Sequence, residues 1–404
     1  MSLRLLLIVI NVIAFAAIAG IIIWRVVSLR RNPEPKKPQN LEPFLNDEEM
    51  EGRKLERVLG LALIAVLVMA VSIPLYFLVE PSRESSAQDD FDERAVERGA
   101  VLFANDQSPH YDPTRSLLCA NCHGVEGEGG STTFVIRSED PDCDLTKDIT
   151  DDTPPECLPS QVTWQAPPLD VALLRYDKAQ VRDIITYGRP GTPMPAWGVK
   201  SGKGVLNEQG ISDLVAYLET LQLTPAEAKK RFSVDTIRDK SAKDVTDARK
   251  AVTDAQQAVA DAPTAAARAT AQKDLDDAQT ALQSTITYNE HVQQASDGEL
   301  VFESQCARCH TKGWSYYDPL NPDAAPAPGP QGGGAYGPNL TDGSEERQFP
   351  GQAGPENQYD WVANGKPANE SYGVRGISSG RMPHYINILS KDEIEAVVDY
   401  ERGL

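Results

Sequence analysis

The pattern Cys-x-x-Cys-His occurs twice, as Cys119-Ala-Asn-Cys122-His123 and as Cys306-Ala-Arg-Cys309-His310. Its chemistry is the attachment of a c-type haem. Two thiols add across the two vinyl groups of the porphyrin, and the His that follows lies under the iron. The spacing is tight because the vinyl groups are a fixed distance apart and the imidazole has to point at the ring centre. Two copies predict two covalently attached haem c groups.

The methionines supply the second ligands. The chain has five. Met1 starts it, Met50 lies between two apolar segments, and Met69 is inside one of them. The other two are Met194, in Pro190-Gly-Thr-Pro-Met-Pro-Ala-Trp197, and Met382, in Ser379-Gly-Arg-Met-Pro-His384. Each follows its Cys-x-x-Cys-His motif and sits in a Pro/Gly-rich stretch that aims a thioether rather than filling a helix face. His/Met ligation raises the potential of a c-type haem. The expected iron ligands are therefore His123 with Met194 and His310 with Met382; His110 and His384 are the rivals for the methionine positions.

The flanking segments repeat as well. Gly99-x-x-x-Phe103 precedes the first motif and Gly298-x-x-x-Phe302 the second. Each half also ends in an amphipathic helix. Ile211, Leu214, Val215 and Leu218 fall at helical spacing beside Tyr217, and Ser390-Lys-Asp-Glu393 is a capping box opening Ile394–Tyr400. A Gly in each helix pair predicts a close crossing at which the two aromatics meet.

With these residues in place, each half resembles a class I cytochrome c domain: Gly-x-x-x-aromatic, Cys-x-x-Cys-His, a Met-Pro loop and an aromatic-bearing last helix. The resemblance covers residues of about 93–221 and 296–404. It implies a Pro carbonyl that accepts the Nδ1–H of the axial His. Gly337-Pro-Asn-Leu340 matches that turn in the second half. The nearest match in the first half, Ala166-Pro-Pro-Leu169, lacks the Gly. The first half also places Phe103 sixteen residues before Cys119, against four between Phe302 and Cys306, and the extra segment contains His110 and Tyr111.

Two stretches carry no charge, Leu5–Trp24 and Val58–Val79. Each is long enough to span a bilayer as a helix. The first also offers a small-residue cleavage site at Ala14-Phe-Ala16. Its continuation to Trp24, followed by Arg25, Arg30 and Arg31, favours a retained anchor. The segment Arg25–Arg57 carries eight Lys/Arg, which places it in the cytoplasm and both termini outside. The resemblance agrees, since it implies haem attachment on the outer face of a bacterial cytoplasmic membrane.

The chain carries a formal charge of −20, and because residues 1–79 are slightly basic the acidity belongs to the part after them. Such a surface steers a basic electron-transfer partner at low salt, or simply keeps the domain soluble. The remaining cysteines, Cys143 and Cys157, lie in an Asp/Pro/Thr-rich loop. In an oxidising compartment they are a disulfide candidate that would pin an insertion; two free thiols are the alternative.

Between the halves lies an Ala-rich insert, about Thr224–Gln294. Val245, Val252 and Val259 are seven residues apart, and Leu275 and Leu282 continue the spacing beyond Ala262-Pro-Thr264. This predicts an antiparallel helical hairpin that returns the chain to its start, with Gln222 near Ser296. It is a docking arm or a spacer. His291 on it is expected to be exposed rather than a ligand, and the Pro/Gly/Ala-rich Asp318–Gly337 reads as a loop. The expected organisation is all-α: a membrane anchor over 1–92 with spans at 5–24 and 58–79, cytochrome c domains over 93–223 and 296–404, and the hairpin over 224–295.

Two six-coordinate haems leave no iron position for a substrate, which points to single-electron transfer rather than to an enzyme with its own substrate site. The architecture is similar to dihaem cytochrome c subunits of quinol–cytochrome c reductase complexes, which take electrons from a Rieske protein and cytochrome b and pass them to an oxidase. It is also similar to the dihaem subunit of cbb-type haem–copper oxidases. A dihaem peroxidase needs a displaceable ligand, which two Met argue against. No nucleotide-binding fingerprint, nucleic-acid motif or Ser/His/Asp arrangement is present.

Overall fold

The computed structural model describes residues 51–136, 157–318 and 337–404, with isolated positions among residues 16–28 and at 47, 143, 150, 153 and 154. Most of the expected span Leu5–Trp24, most of the Lys/Arg-rich segment after it and residues 319–336 lie outside the described residues. The chain divides into two units, residues 1–86 and 87–404.

Helix α1 runs from Arg53 to Phe103 and contains the expected second span. Among the described residues it is the helix long and apolar enough to cross a membrane. Val58, Leu61, Ile64 and Phe77 are all more than half exposed, so its apolar surface runs around the helix instead of forming one stripe. Pro74 and Pro81 lie inside it. From Glu80 the composition turns polar, and the last turns bury Gly99, Ala100 and Phe103 in the second unit.

The second unit is mostly helical, as expected, and carries in addition two short antiparallel β-ribbons. Strands β1 (Gly130–Ile136) and β2 (Ser160–Ala166) pair so that Phe134 faces Val162 and Thr132 faces Trp164. The β-branched run Thr132, Thr133, Val135, Ile136 and the alternation of Val162 with Trp164 are strand signals that the surrounding polar insertion obscured. A disulfide between Cys143 and Cys157, Cα–Cα 5.4 Å, ties the connection between these strands. The smaller ribbon pairs β3 (Ser371–Tyr372) with β4 (Gly376–Ile377).

Each half of this unit is built on a crossing of two helices. In the first, the end of α1 crosses α5 (Glu208–Leu221). A Cβ on Gly99 would lie 2.0 Å from the Asp213 carbonyl oxygen, so only Gly fits. In the second, α9 (Asp297–Val301) crosses α13 (Lys391–Arg402), and a Cβ on Gly298 would lie 2.1 Å from the Ala396 carbonyl oxygen. Phe103 meets Tyr217, and Phe302 meets Tyr400, each pair with ring centroids 5.4 Å apart. Buried Phe103, Ile211, Leu214 and Leu218 form the first core; Phe302, Ile388, Leu389, Ile394 and Val397 form the second.

The two halves pack on each other. Val171 of the first joins the core of the second. His384 N donates to the Arg175 carbonyl (3.0 Å), Arg175 Nη2 to the Tyr385 hydroxyl (3.0 Å), and the Arg308 guanidinium to the Gln165 carbonyl.

Between them, helices α7 (Val234–Asp261) and α8 (Ala265–Gln294) run antiparallel, turning at Ala262-Pro-Thr264. Ser241 Oγ donates to Asn289 Oδ1 (2.9 Å), and Arg238 Nη2 to the Ala295 carbonyl (3.0 Å), so the start of one lies beside the end of the other. The capping box Thr224/Glu227 opens a separate short helix, α6 (Pro225–Phe232). The long helix starts afresh at Ser233, because buried Val234 anchors the chain in the second core. Val245, Leu275, Thr285 and Val292 are buried in the hairpin, and Lys250–Asp254 and Lys273–Asp277 pairs lie on its exposed faces. Leu223 and Ala295, at its two ends, share the second core. His291 is not exposed, as the sequence suggested, but half-buried, with Nε2 3.0 Å from Glu303 Oε1.

Candidate functional site

The first Cys-x-x-Cys-His sits on a single helical turn, α2 (Ala120–His123). The chain reaches it from Phe103 through an excursion pinned back on α1: Leu117 N donates to the Leu102 carbonyl (2.9 Å) and Ser116 Oγ to the Val101 carbonyl (2.7 Å). Its tip, with His110, is exposed. His123 Nδ1 is 3.0 Å from the Pro167 carbonyl oxygen. A carbonyl only accepts, so Nδ1 donates and Nε2 is left bare, the tautomer a metal ligand requires. Burial pushes the His123 pKa down against the opposing pull of that carbonyl, which keeps the ring neutral.

The second motif occupies α10 (Ala307–His310). It follows Phe302 directly through a π-helical turn, Phe302–Cys306. His310 Nδ1 lies 2.9 Å from the Pro338 carbonyl, and burial again lowers the pKa. Gly337 N donates to the Cys309 carbonyl (2.9 Å); a Cβ there would lie 2.5 Å from that oxygen. In the first half the residue in the matching sequence position is Ala166. The close approach is made instead by Gly130, whose Cβ would lie 2.7 Å from the Cys122 carbonyl and which pairs with Ala166 across the β1–β2 ribbon. A glycine was needed, but it comes from a partner strand and not from the Pro-containing turn.

A cavity in the second half is lined by Cys306, Cys309, His310, Leu340, Trp361 and Met382, so the structure brings His310 and Met382 to one space. Met194 is half-buried in a loop that is closed by Arg189 N donating to the Met194 carbonyl (3.1 Å) and by Met194 N donating to Thr192 Oγ1 (3.2 Å). His384 is half-buried, next to Asp177 and Arg175 of the first half, and burial lowers its pKa.

The sequence did not announce three polar groups, one buried and two half-buried, around these sites. Glu401 lines the second cavity, is 5% exposed and accepts from Gln358 Nε2 (3.0 Å). Burial, reinforced by nearby Glu345, pushes its carboxyl up to about 8. Arg308, inside the second motif, has its pKa lowered by burial and by Arg175. Arg175 Nε is shut off from solvent without a hydrogen-bond partner among the described residues. Only the tertiary contact of the two halves puts these guanidiniums together.

A planar, largely apolar cofactor fits this chemistry: paired thiols on one turn, an imidazole with a fixed tautomer, and a mostly apolar cavity shared with a thioether. No curated protein and no solved structure matches the chain. The family model for cytochrome c matches residues 96–222. That stretch, which holds Cys119, Cys122, His123 and Met194, matches a cytochrome c domain, and such a domain implies covalently bound haem c.

Proposed function

We propose that the chain is a membrane-anchored dihaem c-type cytochrome that relays single electrons in a bacterial respiratory chain. One observation carries the second haem: the His–Pro carbonyl lock of the matched domain, His123 with Pro167, recurs as His310 with Pro338. The Gly crossing and its aromatic pair recur with it. Cys119 and Cys122, with His123 and Met194, would hold one haem. Cys306 and Cys309, with His310 and Met382, would hold the other. Bound there, haem supplies one-electron chemistry at a potential raised by thioether ligation. The residues around it fix the axial imidazole, exclude water and hold the two sites in one packed unit.

The apolar part of α1 supports a membrane anchor. The Lys/Arg-rich segment before it supports a cytoplasmic position for Arg25–Arg57 and an outer position for residues 87–404. The electron donor on this reading is a quinol-oxidising complex with a Rieske protein and cytochrome b, and the acceptor is a terminal oxidase. The alternative is electron entry into a cbb-type haem–copper oxidase. The acidic surface favours a basic partner where a soluble one intervenes.

Two measurements test this. Haem content and potentiometry on purified protein should give two low-spin haems per chain, both with the Met–iron charge-transfer absorption. One haem, or a high-spin band, removes the dihaem relay. Mild detergent solubilisation should co-purify b-type haem and a Rieske electron-paramagnetic signal. Co-purification with a haem–copper centre alone selects the alternative.

A further inference from the structure

Away from both Cys-x-x-Cys-His sites, three ligand-type side chains converge where the hairpin meets the second half. His291 is on the last turns of α8, Glu299 on α9, and Glu303 on the π-helical turn that leads to Cys306. One ligand atom from each lies within 4.8 Å of the other two, and all three residues are half-buried. His291 Nε2 is 3.0 Å from both carboxylate oxygens of Glu303. The Glu299 carboxylate has no hydrogen bond or ion pair among the described residues.

An ordinary His–Glu ion pair accounts for two of these groups and leaves Glu299 unexplained. Its negative charge stands beside that of Glu303, where like charges repel. Burial of Glu303, together with Glu299, raises the Glu303 pKa. A cation held by all three would satisfy both carboxylates and the imidazole. The donor set discriminates among cations. One imidazole nitrogen and two carboxylates suit a first-row transition ion, whereas Ca²⁺ and Mg²⁺ favour all-oxygen shells. Three protein ligands with water in a fourth position is a familiar zinc arrangement.

We propose that His291, Glu299 and Glu303 form a binding site for a divalent first-row transition ion, Zn²⁺ foremost, that clamps the end of the hairpin to the turn carrying Cys306. Glu303 is three residues before Cys306, so the ion stiffens the segment on which the second Cys-x-x-Cys-His turn is mounted. It also gives the hairpin a fixed base, joining α8 to α9 by a bond that neither helix makes alone.

The test uses the full-length protein in detergent, stripped with a chelator and titrated with Zn²⁺ by calorimetry. The expected result is one saturable equivalent per chain and a higher unfolding temperature with Zn²⁺ present. His291→Ala, Glu299→Gln and Glu303→Gln should each weaken binding by about ten-fold or more, since even outer-shell changes at metal sites cost that much. His110→Ala, which alters an exposed imidazole elsewhere, should leave binding unchanged. Glu299→Gln decides the matter if the other two variants fold poorly, because its carboxylate has no hydrogen bond or ion pair to lose among the described residues. Absence of a stoichiometric Zn²⁺ site, or equal affinity in Glu299→Gln, overturns the proposal in favour of the plain ion pair.

Discussion

Gly99 and Gly298 do the same work in two halves of one unit, yet the crossings they permit are secured differently. In the first half Arg98 Nε and Nη2 donate to the two oxygens of buried Asp213 at 2.7 and 2.8 Å. The corresponding residues of the second half are Asp297 and Ala396, which form no such pair; Asp297 pairs with Arg238 of the hairpin instead. After the aromatic of the last helix comes Leu218 in the first half and Glu401 in the second, both buried. The approach to the Cys-x-x-Cys-His turn also differs, a fifteen-residue excursion in one half against a π-helical turn in the other. What is shared is the Pro carbonyl held against the His of each Cys-x-x-Cys-His motif. What varies is everything that can be supplied by more than one set of side chains.

The largest test of this equivalence is covalent. On the dihaem proposal, replacing Cys306 and Cys309 by Ser, or Cys119 and Cys122 by Ser, should each halve the pyridine haemochrome absorbance. Unchanged haem content in the second-half variant would end the comparison at the level of the site.

Next come the crossings themselves. Gly99→Val and Gly298→Val should each cost about 3 kcal/mol, the upper range for forcing atoms into packed space. The obstruction is a backbone carbonyl in both cases, so thermal unfolding should show similar losses. A tolerated Gly298→Val would mean that the short helix α9 moves aside where α1 cannot.

Glu401 has no ionisable counterpart in the first half, so the halves should part company with pH. Its carboxyl is raised to about 8 in the folded chain from an ordinary 4.5. The native state therefore holds more protons than the unfolded state between these values, and stability falls as pH rises through that window. Glu401→Gln should flatten the fall, by about 3 kcal/mol at pH 8 relative to pH 5. Chemical unfolding at the two pH values measures it, and an unchanged slope assigns the pH dependence to another group.

The smallest effect concerns Arg98 and Asp213. Asp213→Ala should cost about 1 kcal/mol, because Arg98 is partly exposed and water replaces much of the bond. The loss should shrink at high salt. No loss at all would show that Gly99 and the Phe103–Tyr217 contact secure the first crossing alone, as their equivalents do in the second.

Much of the fold and of the candidate site is legible in the residues themselves. Cys-x-x-Cys-His, Gly-x-x-x-Phe, the capping box Ser390/Glu393 and the turn Ala262-Pro-Thr264 are local, and their geometry follows from covalent spacing, glycine sterics or hydrogen bonds within a turn. The antiparallel hairpin follows from a repeat of seven. The β1–β2 ribbon is hidden from such reading because each strand is short and its stability comes from the other. The role of Gly130 is hidden too, because it depends on register across that ribbon with Ala166, thirty-six residues away in sequence.

By itself, the sequence determined where the two Cys-x-x-Cys-His motifs fall, which helices repeat and which segment is apolar enough for a bilayer, since these depend on residues close together along the chain. Only the tertiary structure decided that Gly130, from a neighbouring strand, takes the close approach to the first Cys-x-x-Cys-His turn, that buried Glu401 lines the second cavity, that Arg175 and Arg308 meet between the halves, and that His291 turns inward to Glu303. Those outcomes rest on contacts between distant segments, whose energies depend on burial and approach distances that exist only once the chain has folded.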